Sequence, residues 1–181
     1  MNDGDVILSG GRTQRANAAS REQFLTFIMD GEEYGIAILK VRGIQGWERV
    51  TPIPNTPDYV LGVINLRGEV VPIVDLRRRF ALEVVPYTHR TVVIVVRVEQ
   101  KDRDRTVGLV VDAVSEVYDI DTAELRPPPD FGTAISNSFV RGLAMVDEKM
   151  VIVLEIDRLI NQGVLEQVGT AEEAETRAAA S

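Results

Sequence analysis

A chain of 181 residues with 45% hydrophobic residues is long enough for one ordinary domain, or two very small ones, with a real core. Its formal net charge of −8 argues against nucleic acids and anionic membranes as partners, because both are bound mainly through clustered Lys and Arg. The sequence has no cysteine, which excludes a disulfide framework and thiolate metal sites and makes the cytoplasm the expected compartment.

The two ends of the chain lack the hydrophobic pattern of folded segments. Residues 1–20 are rich in Gly, Asn, Ser, Ala and Arg, and residues 163–181 are rich in Ala and Glu. Neither end offers enough apolar surface to offset the entropy of ordering, so we expect two flexible tails. The N-terminus carries acidic residues where a secretory signal peptide is basic, and no apolar run approaches the roughly 20 residues that span a bilayer. Neither secretion nor membrane insertion is expected.

Between the tails, the first elements read as a β-hairpin. Residues 24–29 and 34–38 are apolar and separated by Asp30-Gly31, a dipeptide typical of two-residue hairpin turns. The sequence therefore predicts two antiparallel strands joined by a tight turn.

A second hairpin is predicted over residues 60–76. β-branched residues form two runs, and Arg67-Gly68 supplies the turn between them. Gly62 and Pro72 interrupt these runs, since glycine marks a bulge or a close backbone approach and proline cannot donate to a ladder. This hairpin should therefore lie at the edge of a sheet or at a kink, where sheets meet partners.

The second half of the chain repeats this alternation. Residues 92–98 and 107–111 form a strand pair, joined by the charged segment 99–105 as a solvated tip. The spacing of acidic residues over 121–124 resembles a capping box and predicts one helical turn. Residues 155–161 read as a closing helix.

The spacing of glycines indicates an internal repeat. Gly35 and Gly108 each precede an apolar residue by six and by nine positions, and Gly62 and Gly142 each precede an acidic residue by thirteen. The apolar residues are Val41 and Ile44 in the first unit and Val114 and Val117 in the second. A repeat of about 75 to 80 residues with about five short strands predicts two small barrels packed together.

Two residues have two possible roles each. Arg67 is an ordinary solvated turn arginine, or it presents its planar guanidinium to carboxylates or carbonyls of a partner. Phe131 is an aromatic that plugs the core, or an exposed anchor of an interface.

Catalytic and metal chemistry find little support in the sequence. His89 is the single histidine and is interpreted as a surface or linker residue. The acidic clusters at residues 30–33 and 119–124 lack the ligand spacing of a calcium loop and fit turn and cap chemistry. We expect no catalytic residue, no metal and no cofactor.

Several stretches together resemble the CheW family of bacterial chemotaxis coupling proteins. They include the segment Asn65-Leu66-Arg67-Gly68, residues 71–76, residues 107–112 and the pair Arg126-Pro127. The likeness covers residues 22–160. It implies a mainly β fold of two five-stranded SH3-like β-barrels side by side, with short helical turns and a C-terminal helix. The barrels would take approximately residues 22–88 and 89–160, with strands exchanged at the boundary.

The resemblance also implies a function. A CheW protein is a non-enzymatic cytoplasmic adaptor that links the cytoplasmic tip of a chemoreceptor to the regulatory domain of the histidine kinase CheA, peripheral to membrane receptor arrays. Other CheW copies, in rings, are a further possible partner. The receptor helix would lie in an apolar groove between the barrels, and this sequence departs from many family members by having glycine in place of an acidic residue there. The matched receptor positions are Val41, Gly43, Gly62, Arg67, Val92 and Val114, and the matched kinase positions are Arg126, Asp130 and Phe131.

Three other hypotheses remain at this point. An adaptor of the same fold could serve a chemosensory pathway other than motility. A small β-barrel hydrolase would instead require a deep polar cleft with carboxyl groups of raised pKa. A protein that closes rings with itself would need no second partner.

Overall fold

The computed structural model describes residues 20–129 and 137–162, and this part of the chain is mainly β. The ten strands are, in chain order, β1 Arg21–Met29, β2 Glu32–Ala37, β3 Val41–Gly46, β4 Val60–Leu66, β5 Glu69–Asp75, β6 Val92–Val98, β7 Arg105–Val111, β8 Ala113–Asp121, β9 Val140–Val146 and β10 Lys149–Leu154. The predicted strands of both hairpins are therefore present.

The helices are short. They are α1 Leu76–Arg79, α2 Ile156–Asn161 and three 3₁₀ turns, Ile38–Lys40, Thr122–Glu124 and Asn137–Phe139. The predicted turn over residues 121–124 forms with Asp121 as its N-cap, whose carboxylate accepts from the Ala123 N–H at 3.0 Å. None of the helices described here is long and apolar enough to cross a membrane.

The strands form two five-stranded sheets with the same internal pattern. Sheet A has the order β8-β1-β2-β10-β9, and sheet B has the order β3-β6-β7-β5-β4. In each sheet the third and fourth strands pair in parallel and the other neighbours are antiparallel. The internal repeat is thus confirmed, because β1 to β5 correspond in order to β6 to β10. The prediction of a mainly β fold of two five-stranded units is also confirmed.

Each sheet draws strands from both halves of the chain. Residues 22–88 contain β1 to β5 and residues 89–160 contain β6 to β10, yet each range contributes strands to both sheets. The chain crosses from sheet A to sheet B at Ile38–Lys40 and returns at Asp112. A division near residue 88 therefore cuts through both sheets.

A large apolar core lies between the sheets. β6 is buried on both faces, which explains its continuous apolar run. Ile94 and Val96 belong to this shared core, while Val93 and Val95 belong to a second apolar cluster whose buried residues come from the strands of sheet B alone. The shared core contains fully buried side chains from both sheets and from α2, among them Phe27, Met29, Ile36, Ile94, Leu109 and Leu159. The two sheets are consequently held together by apolar packing of the kind found inside single domains.

Three hairpin turns have the left-handed backbone of a type I′ turn. Asp30-Gly31 joins β1 to β2, and Arg67-Gly68 joins β4 to β5, as predicted. In the third turn, between β9 and β10, Asp147 has φ 47° and Glu148 has φ 65°. A side chain disfavours this conformation, so the third turn carries strain that glycine would relieve.

Glu148→Gly is expected to raise the free energy of unfolding by about 0.5 to 1 kcal/mol, since it removes the left-handed strain. Gly68→Ala, at φ 85° in open space, should lower it by a similar amount. Urea unfolding of both variants checks the pair, and a destabilised Glu148→Gly protein would contradict the strain assignment.

Candidate functional site

Three of the valines singled out in the sequence lie on the rim of the shared core. Val41 in β3, Val92 in β6 and Val114 in β8 are partly buried and pack against it. Val41 and Val92 lie at opposite ends of the β3–β6 pair, because Val41 is opposite Val96 while Val92 is opposite Gly46. The three valines therefore mark the edge of one apolar layer, with Val41 and Val92 at separate places along it.

Gly43 and Arg67 belong to a separate depression, the Arg67 groove, between the two edge strands of sheet B. This open groove has a volume of about 470 Å³. Its walls include Arg42, Gly43, Ile44, Leu66, Arg67 and Glu69. Ile44 is 49% exposed, so the groove has an apolar wall beside its charged rim.

The charges of the Arg67 groove differ in how they are held. Arg42 donates to Thr106 Oγ1 at 2.9 Å and lies 4.0 Å from the carboxylate of Glu69. Arg67 is exposed, and within residues 20–129 and 137–162 no ion pair engages its guanidinium. Gly43 has open space where a side chain would stand. The Arg67 groove therefore presents an exposed arginine, and beside Gly43 it has room for a side chain of a partner.

Gly62 has a structural role inside sheet B. The segment after β3 closes onto β4 through paired backbone hydrogen bonds of 2.9 Å between Thr51 and Val63. Gly62 has φ 145°, and a Cβ there would stand 2.0 Å from Thr51 O. Glycine is thus required for this closure, which explains the break in the strand pattern.

An equivalent closure occurs in sheet A. Arg126 and Leu143 exchange backbone hydrogen bonds of 2.9 and 2.8 Å, and a Cβ on Gly142 would stand 2.9 Å from Leu125 Cβ. Beside it lies the Arg126 groove, of about 620 Å³. Its charged walls are Arg21, Asp119, Asp121, Glu124, Arg126 and Asp147. Of the three residues matched to the kinase contact, Arg126 lines this groove, while Asp130 and Phe131 lie outside the described residues.

The sequence did not reveal two clusters of ion pairs at the crossings between the sheets. In the Arg77 clamp, Arg77 Nε and Nη2 donate to the two oxygens of Asp112 at 2.7 and 2.6 Å, and the Asp30 N–H donates to Asp112 at 2.9 Å. In the Lys40 clamp, Lys40 Nζ lies 2.7 Å from Asp157 Oδ2 and 3.0 Å from Glu99 Oε1. The partners are 35 and 117 residues apart, so no local motif signals them.

The pKa of Asp112 reflects its clamp. Burial acts to raise it, but the hydrogen bonds from Arg77 and from the Asp30 N–H, together with the arginine's charge, bring it below its ordinary value. Asp112 therefore binds a proton less tightly in the folded chain than in the unfolded chain. Its contribution to stability is present above the unfolded pKa of about 3.9 and is lost as the pH falls through the folded pKa.

Asp112→Asn should accordingly lower the free energy of unfolding at pH 7. The difference in the free energy of unfolding between the variant and the parent protein should become smaller as the pH falls below about 4. Urea unfolding between pH 3 and pH 7 measures this convergence. A difference that does not depend on pH would contradict the contribution assigned to the carboxylate.

Three carboxyl groups, those of Glu22, Asp75 and Asp121, have structural roles. Glu22 and Asp121 have pKa values below the ordinary value, because the former accepts from Arg141 and the latter from Ser20 and the Ala123 N–H, whereas a catalytic acid requires a raised one. Asp75 is buried, but both oxygens of its carboxylate accept a hydrogen bond, one from the Arg77 N–H at the start of α1 and the other from the Tyr87 hydroxyl at 2.8 Å. Burial and that carboxylate raise the pKa of Tyr87 to about 12.

The remaining titratable groups give no sign of a metal centre. His89 is exposed in the loop before β6. Across the described ranges, no three His, Asp or Glu side chains are grouped so that they could hold a metal ion.

Comparison with known proteins agrees with this geometry. A family model described as a CheW-like domain matches residues 23–164. The chain is 45% identical over 140 residues to the chemotaxis protein CheW of Klebsiella aerogenes, covering 77% of this chain and 82% of that protein. It is 39% identical over 135 residues to the chemotaxis protein CheW of Rhizobium meliloti, covering 75% of this chain and 84% of that protein.

A solved structure gives the same result. The crystal structure of the scaffolding protein TtCheW from Thermoanaerobacter tengcongensis matches with a TM-score of 0.69 and 34% identity, covering 77% of this chain and 92% of that chain.

Proposed function

The chain belongs to the CheW family of non-enzymatic chemotaxis adaptors, and on that premise we propose that it couples the cytoplasmic tips of chemoreceptors to the histidine kinase CheA. Such an adaptor needs two separate faces of different chemistry. Localisation at a membrane receptor array would then follow from binding to the receptors.

The observation that carries the proposal is a pair of grooves of unlike charge, one on each sheet. The Arg67 groove has two arginines, one carboxylate and the exposed Ile44, whereas the Arg126 groove has two arginines and four carboxylates. The two sheets thus carry grooves of different charge. This difference suits two partners better than one.

The receptor is assigned to the side of the Arg67 groove and the rim valines. An amphipathic helix from a receptor tip buries one apolar stripe, and the partly exposed side chains of Val41 and Val114 on the shared core suit such a stripe. The available guanidinium of Arg67 then engages a carboxylate or a carbonyl of that helix. Gly43 leaves room for a side chain of the receptor beside it.

The kinase is assigned to the side of the Arg126 groove. Arg126 is exposed there, and its main chain holds the closure with Leu143, so its side chain is available while its backbone is fixed. Asp130 and Phe131, which follow in sequence, complete the proposed contact with the regulatory domain of CheA.

Arg67→Glu should weaken binding of a receptor-tip fragment by about tenfold, since it places a like charge against the proposed carboxylate. The fold should persist, because the substitution is at an exposed turn that already has positive φ. Isothermal titration of the variant with the receptor fragment and with the CheA regulatory domain checks this.

Arg126→Glu is the matched control, since it makes the same charge change in the groove of the other sheet. It should weaken binding of the kinase domain and leave receptor affinity unchanged. Equal effects of both variants on both partners would sink the assignment of separate faces.

A further inference from the structure

The Arg77 clamp and the Lys40 clamp occupy equivalent places in the repeat, but the positions of the positive and the negative side chain are exchanged between them. Arg77 lies two residues after Asp75, the N-cap of α1, and Asp157 lies two residues after Glu155, the N-cap of α2. Each reaches from its helix to the segment that carries the chain into the other sheet. The cation sits on the helix in one clamp and on the crossing segment in the other. The repeat has therefore kept this contact with its polarity reversed.

Each clamp stands at the beginning of an edge strand. β3 begins directly after Lys40, and β8 begins directly after Asp112. In the described sheets, β3 is hydrogen-bonded to β6 alone and β8 to β1 alone. Such strands have half the ladder of an interior strand to hold them.

The ladder is also interrupted close to each beginning. The β3–β6 register shifts between Val41 and Gly43, and the β1–β8 register shifts between Leu25 and Phe27, opposite Val117 and Val114. A bulge leaves an unpaired residue and weakens the local pairing. The sheet therefore holds Val41 and Val114, the two valines assigned to the receptor, less firmly than it holds the centres of the strands.

The two clamps can restrain the first residues of β3 and β8, where strand pairing is weak. The side chains of Arg77, Lys40 and Asp157 are 12%, 21% and 22% exposed, so their ion pairs are less screened than pairs at the surface. The Arg77 pair is bidentate, which fixes direction as well as distance. By comparison, Arg97 and Asp104 at the tip of the β6–β7 hairpin are 48% and 38% exposed.

We propose that the two clamps position the receptor-binding valines by fixing the first residues of β3 and β8. The inference rests on the proposed function, since it names what holds that binding surface. Losing a clamp would let the beginning of its strand open while the shared core keeps the two sheets together. The clamp residues themselves do not contact the receptor and act through Val41 and Val114.

Amide hydrogen exchange of Lys40→Met, with Lys40→Arg as the variant that keeps the charge, tests the positioning directly. Removing the charge should speed exchange over residues 41–44 by at least about tenfold, while amides near Ile94 in β6 stay protected. Lys40→Arg should restore most of the protection. Lys149→Met, which removes the charge of an exposed lysine at the start of β10 in sheet A, should leave exchange at residues 41–44 unchanged.

The same comparison applies to the other clamp. Arg77→Met should speed exchange over residues 113–117, and Arg77→Lys should have a smaller effect because it keeps the charge but loses the bidentate geometry. Unchanged exchange, or a uniform rise across all strands, would overturn the proposal, since the latter reports a loss of global stability.

Receptor binding provides the second readout. Lys40→Met should bind the receptor-tip fragment about five- to tenfold more weakly than the parent, with Lys40→Arg close to the parent. Local opening without any loss of affinity would overturn the positioning role while leaving the proposed function intact. A parent protein that does not bind the fragment would overturn the proposed function, and the positioning role in binding with it.

Discussion

Gly62→Ala is expected to lower the free energy of unfolding by about 3 to 5 kcal/mol, the sum of a backbone strain and an overpacking term. The added Cβ would stand 2.0 Å from Thr51 O and 2.9 Å from Pro52 Cα, at a φ of 145° that a side chain rarely adopts. These are backbone atoms, so no side-chain rotation relieves the clash. A loss of this size is a large part of the 5 to 15 kcal/mol typical of a domain.

Gly43→Ala is the matched control, because it is also a glycine of an edge strand in sheet B but has open space around its Cβ position. It should unfold within about 0.5 kcal/mol of the parent protein. Urea unfolding of both variants decides the matter. Similar midpoints for the two would show that the Thr51–Val63 closure is looser than described.

Phe27→Ala should destabilise the fold by about 3 to 5 kcal/mol, because it removes a fully buried ring from the shared core. Phe27 stacks on Tyr34 at 5.8 Å, in a series of rings that continues through Phe80 to Phe139. Its loss opens a cavity against residues of both sheets. Thermal and urea unfolding measure the effect.

Val84→Ala serves as its control, since Val84 is 52% exposed and should change the free energy of unfolding by less than about 0.5 kcal/mol. Should Phe27→Ala cost less than about 1 kcal/mol, the layer between the sheets would not be the tightly packed core described here.

Local features of the fold were readable from the sequence. The Asp30-Gly31 and Arg67-Gly68 turns follow from the glycine at the second turn position, and the buried run in β6 follows from its β-branched residues. The repeat was visible because Gly62 and Gly142 recur for one physical reason, the close approach of a bridging segment. The turn at Asp147-Glu148 gave no such signal, since its second residue is glutamate where the other two turns have glycine.

The exchange of strands between the sheets could not be located from the sequence. Alternating apolar residues indicate which side of a strand is buried, but they do not indicate which sheet the strand joins. The crossing at Ile38–Lys40 is three residues long and looks like any short connection. Where β3 goes is decided by its pairing with β6, about fifty residues later.

Some residues of the candidate site could be recognised from the sequence, and others could not. Arg67 was recognisable because an arginine in a two-residue turn is exposed to partners, whereas Val41 and Val114 were singled out through the resemblance to the CheW family. The sequence could not tell that Gly62 is required by Thr51, or that Lys40 meets Asp157. Such contacts depend on the distance between atoms far apart in the chain.

The coupling role itself is tested most directly by co-sedimentation with a chemoreceptor signalling-tip fragment and a CheA regulatory domain, separately and together, at modest salt. We expect the protein to bind each partner alone and all three to form one complex. Binding to neither partner, or competition between the two for one surface, would contradict it.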